Sequence, residues 1–283
     1  MAYELGVAVI HGIGRQNANF AEAFVAEVNR RLGSRAPEVC WMPIWWADLV
    51  EPKESDLLER LSAGGRLDWK VLRSFVVHFL ADAVAYQRVP GESGQPGLYV
   101  QLHLRVADRL EQLRAQLQRS RAPDAGEPPL LVIAHSLGGH IMSNYVWDHQ
   151  HPTPARGLIG DLPFVRGETL TAMVTFGCNI PLFTLALPRV VPIAIPGTLP
   201  VSPPLKPGAR WLNLYDADDV LGYPLRPLDG YADLVDDREV NVGNALTSWN
   251  PAAHNAYWTD NNVTKPISEL IAKLLGGSSS DRA

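Results

Sequence analysis

The chain has 283 residues, enough for one large domain with a sizeable core. Hydrophobic residues make up 46% and charged residues 19%, a balance that excludes a disordered chain and a coiled coil. A net charge of −5 supplies no basic field for nucleic acid and no polybasic membrane anchor.

Gly6-Val7-Ala8-Val9-Ile10 reads as a buried strand. No basic leader precedes it and no apolar run is long enough to span a bilayer, so a cytoplasmic protein without a transmembrane segment is expected. Next come the loop His11-Gly12-Ile13-Gly14-Arg15-Gln16 and an amphipathic helix, with Phe20, Phe24, Val25, Val28 and Leu32 on one face and Gly33 as its stop. Strand, Gly-rich loop and helix in that order begin an α/β sheet. The third glycine of a dinucleotide fingerprint is missing, since position 17 is Asn17, and no nucleotide cofactor is expected. Residues 39–46 look like a second strand carrying three tryptophans. Residues 47–96 then leave the sheet as a helical excursion, with Val71, Leu72, Phe75, Val76, Phe79 and Leu80 forming an apolar face. A long helix is predicted near 98–119 from the stripe Leu102, Val106, Leu110, Leu113 and Leu117. Cys40 and Cys178 have no second Cys or His at metal-ligand spacing and read as reduced core thiols, so no metal is expected.

The most informative segment follows: Leu130-Leu131-Val132-Ile133-Ala134-His135-Ser136-Leu137-Gly138-Gly139-His140. It reads as a buried strand, a small-residue turn holding one serine, and the opening of a helix with Ile141, Met142, Tyr145 and Val146 at helical spacing. Such a bend forces a serine hydroxyl clear of the backbone and aims the next N–H at a reacting carbonyl. Ser136 is the candidate nucleophile, and the Leu137 N–H is a candidate oxyanion donor. Ala134 stands where the G-x-S-x-G pattern has its first glycine, and is small enough to pass.

Residues 170–176 read as the next strand, ending at Gly177. Residues 180–208 carry eight prolines and only two charges, Arg189 and Lys206, too many prolines for a regular helix or a central strand. They form either a buried connection or an apolar cap; the cap is favoured, because the end of the preceding strand shares an edge with Ser136 in a parallel sheet. Under a cap, Leu185 and Ile193 are expected to face the substrate. Residues 210–215 give another strand and 262–275 a last helix. A single domain is expected over 1–275, with a disordered tail at 276–283.

A serine hydroxyl needs a base to take its proton, and the base needs an acid to fix its tautomer. In this kind of sheet the chain order is Ser, then an acid after a later strand, then His. Asp216, Asp218 and Asp219 follow the strand at 210–215, and His254 is the only histidine beyond residue 151. His135 and His140 flank the serine on its own turn, badly placed as bases, and read as structural. A second oxyanion donor is expected from Gly12 or Ile13 in the loop after the first strand, with His11 orienting that loop; a plain tight turn is the alternative.

These features resemble the α/β-hydrolase superfamily, and locally the intracellular DDHD-type lipases and phospholipases. Asn213-Leu214-Tyr215-Asp216-Ala217-Asp218-Asp219-Val220-Leu221-Gly222-Tyr223-Pro224-Leu225 is similar to their segment in which Asp-Pro-Val-Ala-Tyr follows a strand. Asp82-Ala83-Val84-Ala85-Tyr86 resembles a stretch upstream of their serine, and His254-Asn255-Ala256-Tyr257-Trp258 their His-x-x-Tyr-Trp. The resemblance implies an α/β-hydrolase fold, with a mostly parallel sheet flanked by helices, and places the acid at Asp219. It implies a serine hydrolase acting on small-molecule or lipid esters through an acyl-enzyme, without a cofactor. A thioesterase, acyltransferase or peptidase on the same residues, or a non-catalytic binding protein, are the alternatives.

Overall fold

Five runs with alternating or continuous apolar side chains and a sixth, charged run pair into a single sheet. The computed structural model describes residues 2–14, 16–65, 68–69, 73, 83–87, 96–151, 160–201, 211–243 and 253–276. Its strands are β1 (Leu5–Ile10), β2 (Val39–Ile44), β3 (Leu130–His135), β4 (Leu170–Phe176), β5 (Trp211–Asp216) and β6 (Val235–Val240), in the order β2-β1-β3-β4-β5-β6. Every neighbouring pair is parallel. Every residue of β1, β3 and β4 is buried, as strands covered on both faces must be.

The two faces of the sheet bury different helices, and the period-two alternation of the strands sorts the residues between them. Leu5, Val7, Val9, Leu131 and Ile133 pack with α1 (Glu22–Leu32) through Phe24 and Val28. The same layer holds α7 (Asn261–Leu274), through Val263, Ile267 and Ile271. Ala8, Ile10, Val132 and Ala134 face the other way, onto α3 (Leu98–Arg119) and α4 (Leu137–Gln150). The protein is thus a three-layer α/β structure built on a parallel sheet.

Chain direction across the sheet reverses between β1 and β3, because β2 lies on one side of β1 and all later strands on the other. The loops leaving the carboxyl ends of β1 and β3 therefore flank a topological switch point, where open α/β sheets form a crevice for ligands. These are the loops that carry His11-Gly12-Ile13 and Ser136.

Several expectations are corrected. The second strand ends at Ile44 rather than 46, because Trp45 and Trp46 turn off the sheet: the Trp46 N–H donates to His11 Nε2 at 3.1 Å, and the Trp45 indole donates to the Gln16 carbonyl at 2.6 Å. The described strands are all parallel, in line with the expected parallel sheet, and the sequence reading has no counterpart of β6. The excursion contains a helix, α2 (Glu51–Ala63), whereas the apolar face at positions 71–80 and the tail at 277–283 lie outside the described residues. Among the described residues no helix is long and apolar enough to cross a membrane.

Candidate active site

β3 runs into α4 through a single residue, Ser136, at φ 52° and ψ −126°. A non-glycine residue in that region is strained and persists only where its surroundings fix it. Here the Ser136 N–H donates to the Phe176 carbonyl at 3.0 Å, tying the bend to β4. The strain lifts the hydroxyl out of the strand and leaves Leu137 as first residue of a helix, where its N–H has no intrahelical acceptor.

His254 reaches this hydroxyl from a short helical turn, α6 (Ala253–Ala256). The Ser136 Oγ–H donates to His254 Nε2 at 2.6 Å, and His254 Nδ1–H donates to Asp219 Oδ2 at 2.9 Å. The partners on either side assign this tautomer. All three residues are buried. Asp219 lies in the turn after β5 and accepts two more hydrogen bonds, from the Leu221 N–H at 3.0 Å and the Tyr257 hydroxyl at 2.9 Å. Burial alone would raise the Asp219 carboxyl, but these donors, His254 foremost, outweigh it and hold the group below its ordinary value. Gly177, at φ 55°, lets the end of β4 pass against the pair: a Cβ there would lie 3.2 Å from both Asp219 Oδ2 and His254 Cε1.

The other two aspartates do different work. Asp216 accepts from the backbone N–H groups of Asp218 and Val242, at 2.8 and 2.6 Å, pinning the turn to the chain beyond β6. Asp218 is exposed. Tyr257 and Asp237 were missed in the sequence. The Tyr257 hydroxyl links the Asp216 N–H to Asp219, and Asp237 accepts from the N–H groups of Leu225 and Arg226 and from the Asn213 amide. Tyr257 is visible as part of the His-x-x-Tyr-Trp run, but no pattern marks Asp237.

The loop after β1 lies directly on Ser136. A Cβ on Gly12 would overlap the Ser136 Cβ, so only glycine allows this approach. His11 Nδ1–H donates to the Gly12 carbonyl at 2.8 Å while its Nε2 accepts the Trp46 N–H. The ring stacks on Trp46, and burial lowers it to about 4, so it is a neutral clamp at physiological pH. In a trans peptide the N–H opposes the C=O, so fixing the Gly12 carbonyl turns the Ile13 N–H to the other side. His135 clamps the other partner: its Nε2–H donates to the His254 carbonyl at 2.7 Å. Burial keeps the His135 imidazole neutral too.

Over its described residues, 180–201, the Pro-rich segment divides in two, and 202–208 lie outside the described residues. Its second half is a connection: Ala194 and Gln150 exchange two hydrogen bonds, and Gly197 N–H donates to the Leu170 carbonyl at the start of β4. Its first half begins with α5 (Ile180–Thr184) and lines a cavity against α4. The structure places neither Leu185 nor Ile193 in that cavity. The turn of α5 faces Ile180, Phe183 and Thr184 inward, which leaves Leu185 87% exposed, while Ile193 is 1% exposed within the core.

Among the described residues no group of three or more His, Cys, Asp or Glu is placed to hold a metal ion. No family model and no curated protein matches the chain.

Proposed function

We propose that the chain is a serine hydrolase of the α/β-hydrolase type that cleaves carboxylic esters through an acyl-enzyme. The observation that carries the reading is the unbroken relay from Ser136 Oγ through His254 to Asp219, at 2.6 and 2.9 Å, with the serine raised on a strained bend at the switch point. Ser136 attacks the ester carbonyl while His254 Nε2 takes its proton. Asp219 stabilises the imidazolium that forms, and His254 then returns the proton to the leaving alkoxide. The Leu137 and Ile13 N–H groups hold the oxyanion, the first by its place at a helix start and the second by the His11 clamp. Water, activated by the same histidine, releases the acid.

The test is labelling with a fluorophosphonate probe. The wild-type protein is expected to label at one site and Ser136→Ala to label not at all with its thermal midpoint nearly unchanged. A fully labelled Ser136→Ala protein overturns the assignment of the nucleophile.

A further inference from the structure

The cavity beside α4 holds about 490 Å³, within the usual range for small-molecule sites of roughly 300–1,000 Å³. One wall is a single stripe of α4: His140, Ser143, Asn144 and Trp147. Ser136 is the residue directly before α4, and His140 lies in the first turn of that helix. The facing wall includes Ile180, Phe183 and Val190, and Phe183 stacks on the His140 ring with centroids 4.0 Å apart. The cavity thus begins at the first turn of α4, the helix that Ser136 precedes, and extends along it to Trp147 between aromatic, aliphatic and polar side chains.

A second observation concerns the residue before α5. Asn179 is completely buried, and among the described residues neither its amide nitrogen nor its amide oxygen has a hydrogen-bond partner. In the chain it lies between Gly177, where an added Cβ would meet His254, and Ile180 of the cavity wall. A buried amide left unpaired is destabilising, and a polar group of a ligand that reached it would remove that penalty.

Resting on the proposed ester hydrolysis, we propose that this cavity is the acyl-chain subsite and that the substrates are esters of medium-length unbranched acids. The acyl group, not the alcohol, remains bonded to Ser136 in the intermediate, and so is the part tethered at the start of α4. From position 137 to 147 the helix rises about 15 Å. A carbon chain with ~1.5 Å bonds and tetrahedral angles advances about 1.25 Å per carbon, so roughly ten to thirteen carbons cover that length.

The experiment is a series of p-nitrophenyl esters from acetyl to hexadecanoyl, run on wild type and on Asn144→Phe and Thr184→Phe, which fill the cavity from opposite walls. In wild type kcat/KM is expected to rise about threefold to fourfold per added methylene, to about ten carbons, and then level off. In both variants the decanoyl-to-acetyl ratio is expected to fall by at least tenfold, with thermal midpoints confirming that the fold is kept. A matched series of alkyl acetates gives the alcohol arm. A length dependence there with a flat acyl series overturns the acyl assignment, as does an acyl rise that survives both variants. Decanoate binding to Ser136→Ala protein, followed by calorimetry, separates this inference from the one it rests on. Decanoate bound by Ser136→Ala and lost in Asn144→Phe supports the subsite even if wild type fails to label with fluorophosphonate, which would sink only the hydrolase reading. Efficient ester turnover with no decanoate binding and no length dependence sinks the subsite alone.

Discussion

His11 offers a sharp quantitative check on how the loop over Ser136 is held. Its Nε2 must stay unprotonated to accept the Trp46 N–H, while Nδ1–H holds the Gly12 carbonyl. Burial lowers the imidazole to about 4 in the folded protein, against about 6.5 in an unfolded chain. Between those values the unfolded chain binds a proton that the folded one refuses, so stability rises with pH in that window and falls as pH drops from 6.5 toward 4. At 1.36 kcal/mol for each of about 2.5 pH units, the full loss is about 3 kcal/mol. That is a large share of the 5–15 kcal/mol typical of a domain. His11→Gln removes this titration and leaves His135 and every carboxylate in place, so their contributions cancel in the comparison. Urea unfolding followed by tryptophan fluorescence at pH 7.5, 6.5, 5.5 and 4.5 then reads the stability of wild type minus variant, which is expected to shrink as the pH falls. A difference that stays constant, or grows toward acid, would show that the imidazole is not held neutral and would refute the clamp.

Other consequences follow from the hydrogen bonds around the candidate triad. His254→Ala is expected to lower kcat by on the order of 10³–10⁶ and Asp219→Asn by about 10⁴, measured as ester hydrolysis per fluorophosphonate-titrated site. Asp216→Asn, by contrast, should mainly lower the thermal midpoint, since Asp216 holds backbone N–H groups and not His254; a collapse of turnover there with full activity in Asp219→Asn moves the acid. Gly12→Ala drives a Cβ into Ser136 and should lower kcat by about 10²–10³, with a stability loss of about 1–3 kcal/mol from overpacking. A fully active Gly12→Ala enzyme contradicts the close approach. Tyr257→Phe removes a donor to the Asp219 carboxylate, worth about 1.5–3 kcal/mol, and so should slow turnover about tenfold or more while leaving the Asp216 N–H unpaired. Unchanged stability and turnover would show that the hydroxyl supports neither group.

The parts of the fold that were legible in the sequence are those whose burial is dictated locally. The strand at 170–176 coincides with β4, and the stripe from Leu102 to Leu117 lies buried on one face of α3. The bend at Ser136 was readable because a strained turn restricts the residues around it. β6 was not readable: Val235-Asp236-Asp237-Arg238-Glu239-Val240 carries four charges, in keeping with its place at the edge of the described strands with one neighbour, and only Val235 is buried. Leu185 and Ile193 were misplaced because composition reveals that a segment is apolar but not which way each side chain turns. That is decided by the single turn of α5 and by the hydrogen bonds to Gln150 and β4. The choice among Asp216, Asp218 and Asp219 likewise depends on backbone donors in Leu221 and Val242, which no side-chain pattern records.

All five pairings among the described strands are parallel and offer no hairpin as a nucleus, since each parallel partner must be brought back by a crossover. The groups that meet at Ser136 come from positions 12, 136, 219 and 254, so their contacts close loops of 35 to more than 100 residues. Loop closure over such separations is slow, and it is complete only when β1, β3, β4 and β5 have all found their register. During refolding, helical signal from segments such as α3 therefore returns before any chain can react with the probe. On the proposed reading, reactive serine counts finished molecules, and a preparation's labelled fraction measures how much of it has reached the native state.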